Sequence, residues 1–231
     1  MIPLRDANPS GGTPVVNHAI ILGCVLAFFL ELLLGPNLHY FFIAYGLVPI
    51  RYTNLQVAAH FSPWEQALPF FTFMFLHGGW LHLIGNLWVL HIFGDNVESA
   101  LGHGRYAIFY LACGVASAAI HLLTNPGSQL PTIGASGAIA GVMGAYFILY
   151  PKARVLTLVP IFFFFTVIEI PAYVFLAFWF IVQFFNGAFA LLAGTGEFGG
   201  IAWWAHVGGF LAGIFLLRMM MGRSPQQFWH R

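Results

Sequence analysis

The sequence predicts an all-α membrane protein, a six-transmembrane-helix bundle with a structured interfacial loop between spans one and two. Three observations carry that expectation. First, 60% of the 231 residues are hydrophobic and 6% are charged, with a mean hydropathy of +0.84. A soluble domain carries about 25% charged residues, and this much apolar surface does not fit inside one soluble core. Second, apolar stretches fall near 16–35, 78–97, 104–123, 134–150, 169–192 and 200–220. Each is close to the roughly 20 residues a helix needs to cross the hydrocarbon. Third, six spans put both termini on one side. Seven of the eight basic residues (Arg5, Arg105, Lys152, Arg154, Arg218, Arg223 and Arg231) then fall on that side, and only Arg51 on the other. The positive-inside rule makes that side cytoplasmic. The expected division is a cytoplasmic tail over 1–15, a membrane domain over 16–220 and a cytoplasmic tail over 221–231.

Along the chain, Pro3, Pro9, Gly11, Gly12 and Pro14 make the N-terminus read as a short mobile tail without the apolar run of a signal peptide. The connection 36–76 is too apolar for a solvated loop and too interrupted by Pro36, Pro49, Pro63 and Pro69 for a span. It reads as an ordered element partly in the interface, where Trp and Tyr are favoured. The fourth segment is short but rich in glycine and alanine, from Gly134 to Ala145, which suits a helix enclosed by others. The sixth carries Gly208, Gly209, Ala212 and Gly213, so those two helices are natural partners. Residues 155–168 read either as an interfacial segment or as the early part of span five. No internal repeat is visible, which argues against the common transporter architecture. The net charge of +1 and the absence of a basic run exclude a nucleic-acid partner. Cys24 and Cys113 sit in apolar segments as packing residues, and no disulfide framework is implied.

Polar groups at bilayer depth are costly, so each marks a candidate site. Ser136, in Gly134-Ala135-Ser136-Gly137, heads the fourth span. His206, in Ala205-His206-Val207-Gly208-Gly209, lies about two turns into the sixth. Both fall in the outer part of the membrane at similar depth. A serine hydroxyl needs a base to become a nucleophile, and His206 is the one histidine of its span. Gly134 and Gly137 suit a tight turn from loop to helix, and the free N–H groups of a helix start can face a developing oxyanion. No Asp or Glu sits at matching depth, so a dyad is expected, without a third carboxylate. The other reading of Ser136 is interhelical packing. His82 and Asn86, spaced i, i+4, share a face of span two at the same depth. They read either as side-chain donors to an oxyanion or as interhelical glue. His77 and His82, five apart, do not share a face, which argues against a metal pair. His77 reads as a loop-packing residue at the helix mouth and His91 as a bonded structural histidine. His121 and His18 have no nameable partner. Gly94-Asp95-Asn96-Val97-Glu98 with Arg105 reads as a turn fixed by an ion pair.

These motifs in this order resemble the rhomboid intramembrane serine proteases: His77, His82 and Asn86, then Gly94 and Glu98, then Gly134-Ala135-Ser136-Gly137, then Ala205-His206 with Gly209 and Gly213. The resemblance covers roughly 45–218. It implies a six-helix bundle with its site open to the outside of the cell. Ser136 would be nucleophile and His206 general base. His82, Asn86 and the Ser136 amide would serve as oxyanion donors, and Gly209 and Gly213 as close-packing positions against span four. It also implies cleavage of transmembrane or juxtamembrane segments of other membrane proteins in the bilayer, with no metal, cofactor or ATP. Span five and the loop 193–200, with its four glycines, resemble the family's gate and cap. One departure is Ala140, where some relatives place a tyrosine that stacks on the histidine. The absence of a soluble domain before the core and of a seventh span points to a bacterial plasma membrane. The rival readings are a catalytically silent relative that holds membrane clients, which typically lacks the serine or histidine, and a channel or transporter. The second would need polar residues continuing across spans four and six, which are instead apolar below Ser136.

Overall fold

The computed structural model describes residues 1–8, 11–161, 164–193 and 202–221. Among the described residues, six long helices form the bundle: α1 Val15–Leu34, α2 Trp80–Leu101, α3 His103–Thr124, α4 Ser136–Leu149, α5 Ala172–Leu192 and α6 Trp203–Met221. Four helices are long and apolar enough to cross a membrane, the first running on to Tyr45. The helix pair Pro63–Phe75 and Trp80–Leu101, bent by 80°, makes up to five. The remaining long element, α4, has 14 residues and is enclosed by its neighbours, with eleven of them buried. A 14-residue helix rises only about 21 Å, so it is shielded by protein where it falls short of the bilayer. The chain is a helical, multi-pass membrane protein.

The small residues of α4 explain its central place. A side chain at Gly209 of α6 would run into the Gly137 carbonyl, and one at Gly213 into that of Gly141. On the other face, Gly137 and Gly141 lie against Ser117 and Cys113 of α3. Backbones this close give dispersion contact along the whole seam, the main source of helix association where lipid removes the hydrophobic drive.

The connection between α1 and α2 is a run of short helices, including Leu38–Tyr45, Pro63–Ala67 and Pro69–Thr72. Arg51 organises it. This residue is 3% exposed, and its guanidinium donates to the carbonyls of Ile43 and Glu65, both at 2.9 Å, and lies 3.9 Å from the Phe61 ring centroid. Among the described residues it is the one Lys or Arg on this side of the bundle, and it serves as an internal clamp.

The structure decides one open reading and departs from two expectations. Residues 155–168 do not begin span five. They belong to a hairpin of β2 Arg154–Ile161 and β3 Phe164–Pro171, and the N-terminal segment adds β1 Ile2–Asp6 to give an antiparallel sheet in the order β1-β2-β3. The expected mobile tail is therefore a strand, with Ile2 opposite Leu158 and Asp6 opposite Val155. Proline is tolerated on an edge strand, and Pro3 accepts a 2.6 Å hydrogen bond from the Trp88 indole of α2. The alternation that marks β2, with Val155 and Thr157 buried, becomes meaningful only beside a partner some 150 residues away in sequence. The second difference concerns Glu98. It accepts from the amides of Val16 (2.9 Å) and Asn17 (2.7 Å), capping α1 from α2, and pairs with His103 at 2.5 Å, not with Arg105. A helix start has free N–H groups that attract a carboxylate, and α1, preceded by Pro14, has no side-chain cap of its own. The expected C-terminal tail and most of the loop 193–200 lie outside the described residues.

Candidate functional site

The chain reaches α4 through a segment tied down at each step. Leu47 and Thr132 exchange backbone hydrogen bonds of 3.0 and 2.8 Å, and the Gly134 amide donates to the Phe73 carbonyl at 2.9 Å. The Thr132 hydroxyl meets Nε2 of the buried His121 at 2.7 Å, giving that histidine a structural partner on α3. Gly134 has φ +129°, a region that glycine adopts freely and other residues rarely. A Cβ there would also lie 2.7 Å from His82 Nε2. Both reasons require glycine, and together they bring the chain into α4 with Ser136 as its first helical residue. Its amide is one of the N–H groups for which the helix has no acceptor.

His206 is the fourth residue of α6, in the first turn and closer to the helix start than the sequence suggests. Its Nε2 lies 2.8 Å from Ser136 Oγ. Its Nδ1 lies 2.8 Å from Oε1 of Gln183, a residue of α5 that is 5% exposed. The ring also sits 5.9 Å from that of Trp179 on α5 and 6.4 Å from that of Trp203. Gln183 does not stand out in the sequence as Ser136 and His206 do, although its signal is of the same kind: an amide in an apolar span, which it shares with Asn186.

His82 is the third residue of α2 and Asn86 follows one turn later. Nδ1 of His82 accepts a hydrogen bond from the Gly78 amide at 3.3 Å, which assigns the proton of the neutral ring to Nε2, the nitrogen beside Gly134. Asn86 is 8% exposed, and its Nδ2 has no hydrogen-bond partner among the described residues. Buried donors are nearly always paired, so an orphan facing a cleft calls for an explanation. Ser136, His206, His82, Asn86 and Gly134 all line one cavity of about 610 Å³. The four side chains that the sequence singled out are thus brought together.

The remaining histidines are not. His77 is buried. Its Nδ1 meets the Phe75 carbonyl at 3.1 Å and its amide donates to Glu31 of α1 at 3.0 Å, so it anchors the chain ahead of α2. His91 is exposed on α2 and is not the bonded core residue expected, and His18 is exposed on α1. Among the described residues, no three His, Cys, Asp or Glu side chains are grouped to hold a metal ion.

A hydroxyl at hydrogen-bond distance from an imidazole, whose second nitrogen is engaged, can lose its proton to that ring. Unpaired N–H donors beside it can receive a developing negative charge. The fold and the site define a class: multi-pass helical membrane proteins with a serine and histidine meeting at a cavity near one end of the bundle. The Rhomboid domain matches residues 64–223 of the chain, and the protein belongs to the rhomboid family. RHOMBOID-like protein 6, mitochondrial, of Arabidopsis thaliana is 32% identical over 158 residues, covering 68% of this chain and 45% of that protein. Rhomboid protease GluP of Bacillus subtilis is 31% identical over 134 residues, 58% of this chain and 24% of its own length. Rhomboid protein 1, mitochondrial, of Saccharomyces cerevisiae is 28% identical over 144 residues, 61% and 38% respectively. The chain spans less than half the length of each.

Proposed function

We propose that this protein is an intramembrane serine endopeptidase that cleaves transmembrane or juxtamembrane segments of other membrane proteins. The observation that carries the reading is the 2.8 Å contact between His206 Nε2 and Ser136 Oγ at the edge of a cavity holding unpaired donors. In the mechanism, Nε2 takes the Ser136 proton as Oγ attacks the scissile carbonyl carbon. The resulting oxyanion accepts from His82 Nε2–H, Asn86 Nδ2–H and the Ser136 amide. The imidazolium then returns its proton to the leaving amine as the C–N bond breaks. A water from the cavity attacks the acyl-enzyme, with His206 again as base, and releases the acid and free Ser136. A substrate helix shields its peptide bonds by its own hydrogen bonds, so it must unwind locally to reach Ser136. That favours segments containing helix-weakening residues. The basic residues Arg5, Arg105, Lys152 and Arg154 lie by the sheet and the α2–α3 turn, away from the cavity. Their placement supports an orientation with the site facing away from the cytoplasmic side. The similarity to a protein named a protease supports the same reading.

The test is cleavage of a transmembrane model substrate by purified protein in detergent, beside Ser136→Ala and His206→Ala, with labelling by a serine-directed fluorophosphonate. Loss of cleavage in both folded variants and labelling at Ser136 are expected. Cleavage persisting in either variant would overturn the dyad, and a wild type that neither cleaves nor labels would identify a silent client-binding relative.

A further inference from the structure

The proton-accepting nitrogen of His206 is fixed by which nitrogen carries the ring proton, and the residues around its far side decide that. Gln183 Oε1 lies 2.8 Å from Nδ1, while Gln183 Nε2 lies 3.4 Å from the Trp179 carbonyl, one turn earlier on the same helix. A backbone carbonyl only accepts, so the amide nitrogen belongs at that end and the amide oxygen faces His206. An amide oxygen also only accepts, so Nδ1 carries the proton and Nε2 presents its lone pair to the Ser136 hydroxyl. The reversed amide would set two carbonyl oxygens against each other and place the proton on Nε2, where it blocks Ser136.

We propose that Gln183 is a positioning residue that holds His206 in the Nδ1–H tautomer and so leaves Nε2 free to take the Ser136 proton. This rests on the endopeptidase reading above. One turn after Ser136 on α4, Ala140 offers only a methyl group, and the groups that orient the ring come from α5: Gln183 for the tautomer and Trp179 against the ring. Their i, i+4 spacing puts both on one face of α5. A neutral amide suits this depth because a buried carboxylate would be far more costly to desolvate. It orients the ring without stabilising the imidazolium charge as an aspartate would. The titratable side chains facing His206 are His82 of α2 and His121 of α3, so among the described residues no carboxylate competes for the role.

The experiment uses the full chain in detergent micelles with ¹⁵N-labelled histidine, the His206 signals being assigned with His206→Gln. Wild type is expected to show the Nδ1–H tautomer. Gln183→Met, near in size but without the acceptor, should show a mixture or the Nε2–H form. Fluorophosphonate labelling at Ser136 should then slow by about 10²-fold, and kcat fall alike with KM little changed, as expected for an impaired general base. Gln183→Glu restores an acceptor. It should retain the Nδ1–H form and move the acid limb of the rate–pH profile to higher pH, because a carboxylate favours the imidazolium. A Gln183→Met protein that keeps the wild-type tautomer, or labels at the wild-type rate, would overturn the proposal. Should that variant fail to fold, a wild type that shows the Nε2–H form overturns it equally. A wild type that is not labelled at all defeats the endopeptidase reading, while the tautomer comparison still decides the role of Gln183.

Discussion

The bundle holds two polar clusters at opposite ends of α2, and they are finished differently. At the sheet end every principal group is engaged. Glu98 accepts from two α1 amides and His103. Asn17 accepts from the Tyr106 hydroxyl at 2.7 Å and donates to the Leu90 carbonyl at 3.2 Å. Asp6 accepts from the Tyr146 hydroxyl at 2.6 Å and from Asn96 at 2.9 Å. At the cavity end, twelve residues or about 18 Å along α2 from Glu98, the Asn86 amide nitrogen is buried without an acceptor among the described residues. His82 lines the cavity beside it, with its Nε2 next to Gly134. Both clusters put costly groups into an apolar setting. The first uses them to join α1, α2 and the sheet. The second leaves donors unmatched, as expected where the missing acceptor arrives with a substrate.

That contrast can be broken or sharpened by substitution. The largest effect should come from Ser136→Ala and His206→Ala, each lowering kcat by about 10⁴-fold or more with the melting temperature little changed, as for residues acting as one unit. Comparable activity in either would remove the chemical distinction between the two ends. Asn86→Ala should slow cleavage by about 10²-fold, as loss of one oxyanion donor does. It should leave thermal stability unchanged or slightly higher, because it removes a buried donor that nothing pairs. A clear drop in melting temperature would instead make Asn86 structural glue. Glu98→Ala should do the reverse. It strands two α1 amides, that of Asn17 buried and that of Val16 partly so, and should cost about 3 kcal/mol of stability, read by thermal unfolding in detergent, while the folded fraction keeps its kcat.

The smallest effect concerns pH. Burial pushes the Asp6 carboxyl up from its ordinary 3.8 to about 6, against the lowering influence of the Tyr146 hydroxyl. A group whose folded pKa is raised favours the folded state fully below its unfolded pKa, and that contribution is lost as pH rises through the folded one. Docking of β1 should therefore tighten as pH falls from about 7 towards 4, measured by amide exchange of residues 2–6. Asp6→Asn should flatten that dependence, and an unchanged slope would place the titrating group elsewhere.

The sequence by itself determined the membrane class and the four side chains at the cavity. The physical reason is that hydrocarbon makes a lone serine, histidine or asparagine conspicuous, and helix periodicity assigns each a depth and a face. The glycines of α4 and α6 were legible for the same kind of reason, since only small residues permit a close seam. Span order and depth do not say which helix reaches across to a given ring nitrogen. Gln183 carried a signal of the same kind as Ser136, yet its meaning depends on α5 lying beside α6 within hydrogen-bond distance of Nδ1. The sheet was hidden for a related reason: β1 is a proline-containing pentapeptide whose pairing potential is realised only by a strand about 150 residues further on. Glu98 shows the same limit, since the nearby arginine was the obvious local partner and the folded chain instead delivers the start of α1. Local composition prices a polar group in the membrane, and only the tertiary structure decides what satisfies it, because its partner is brought by packing from a distant part of the chain.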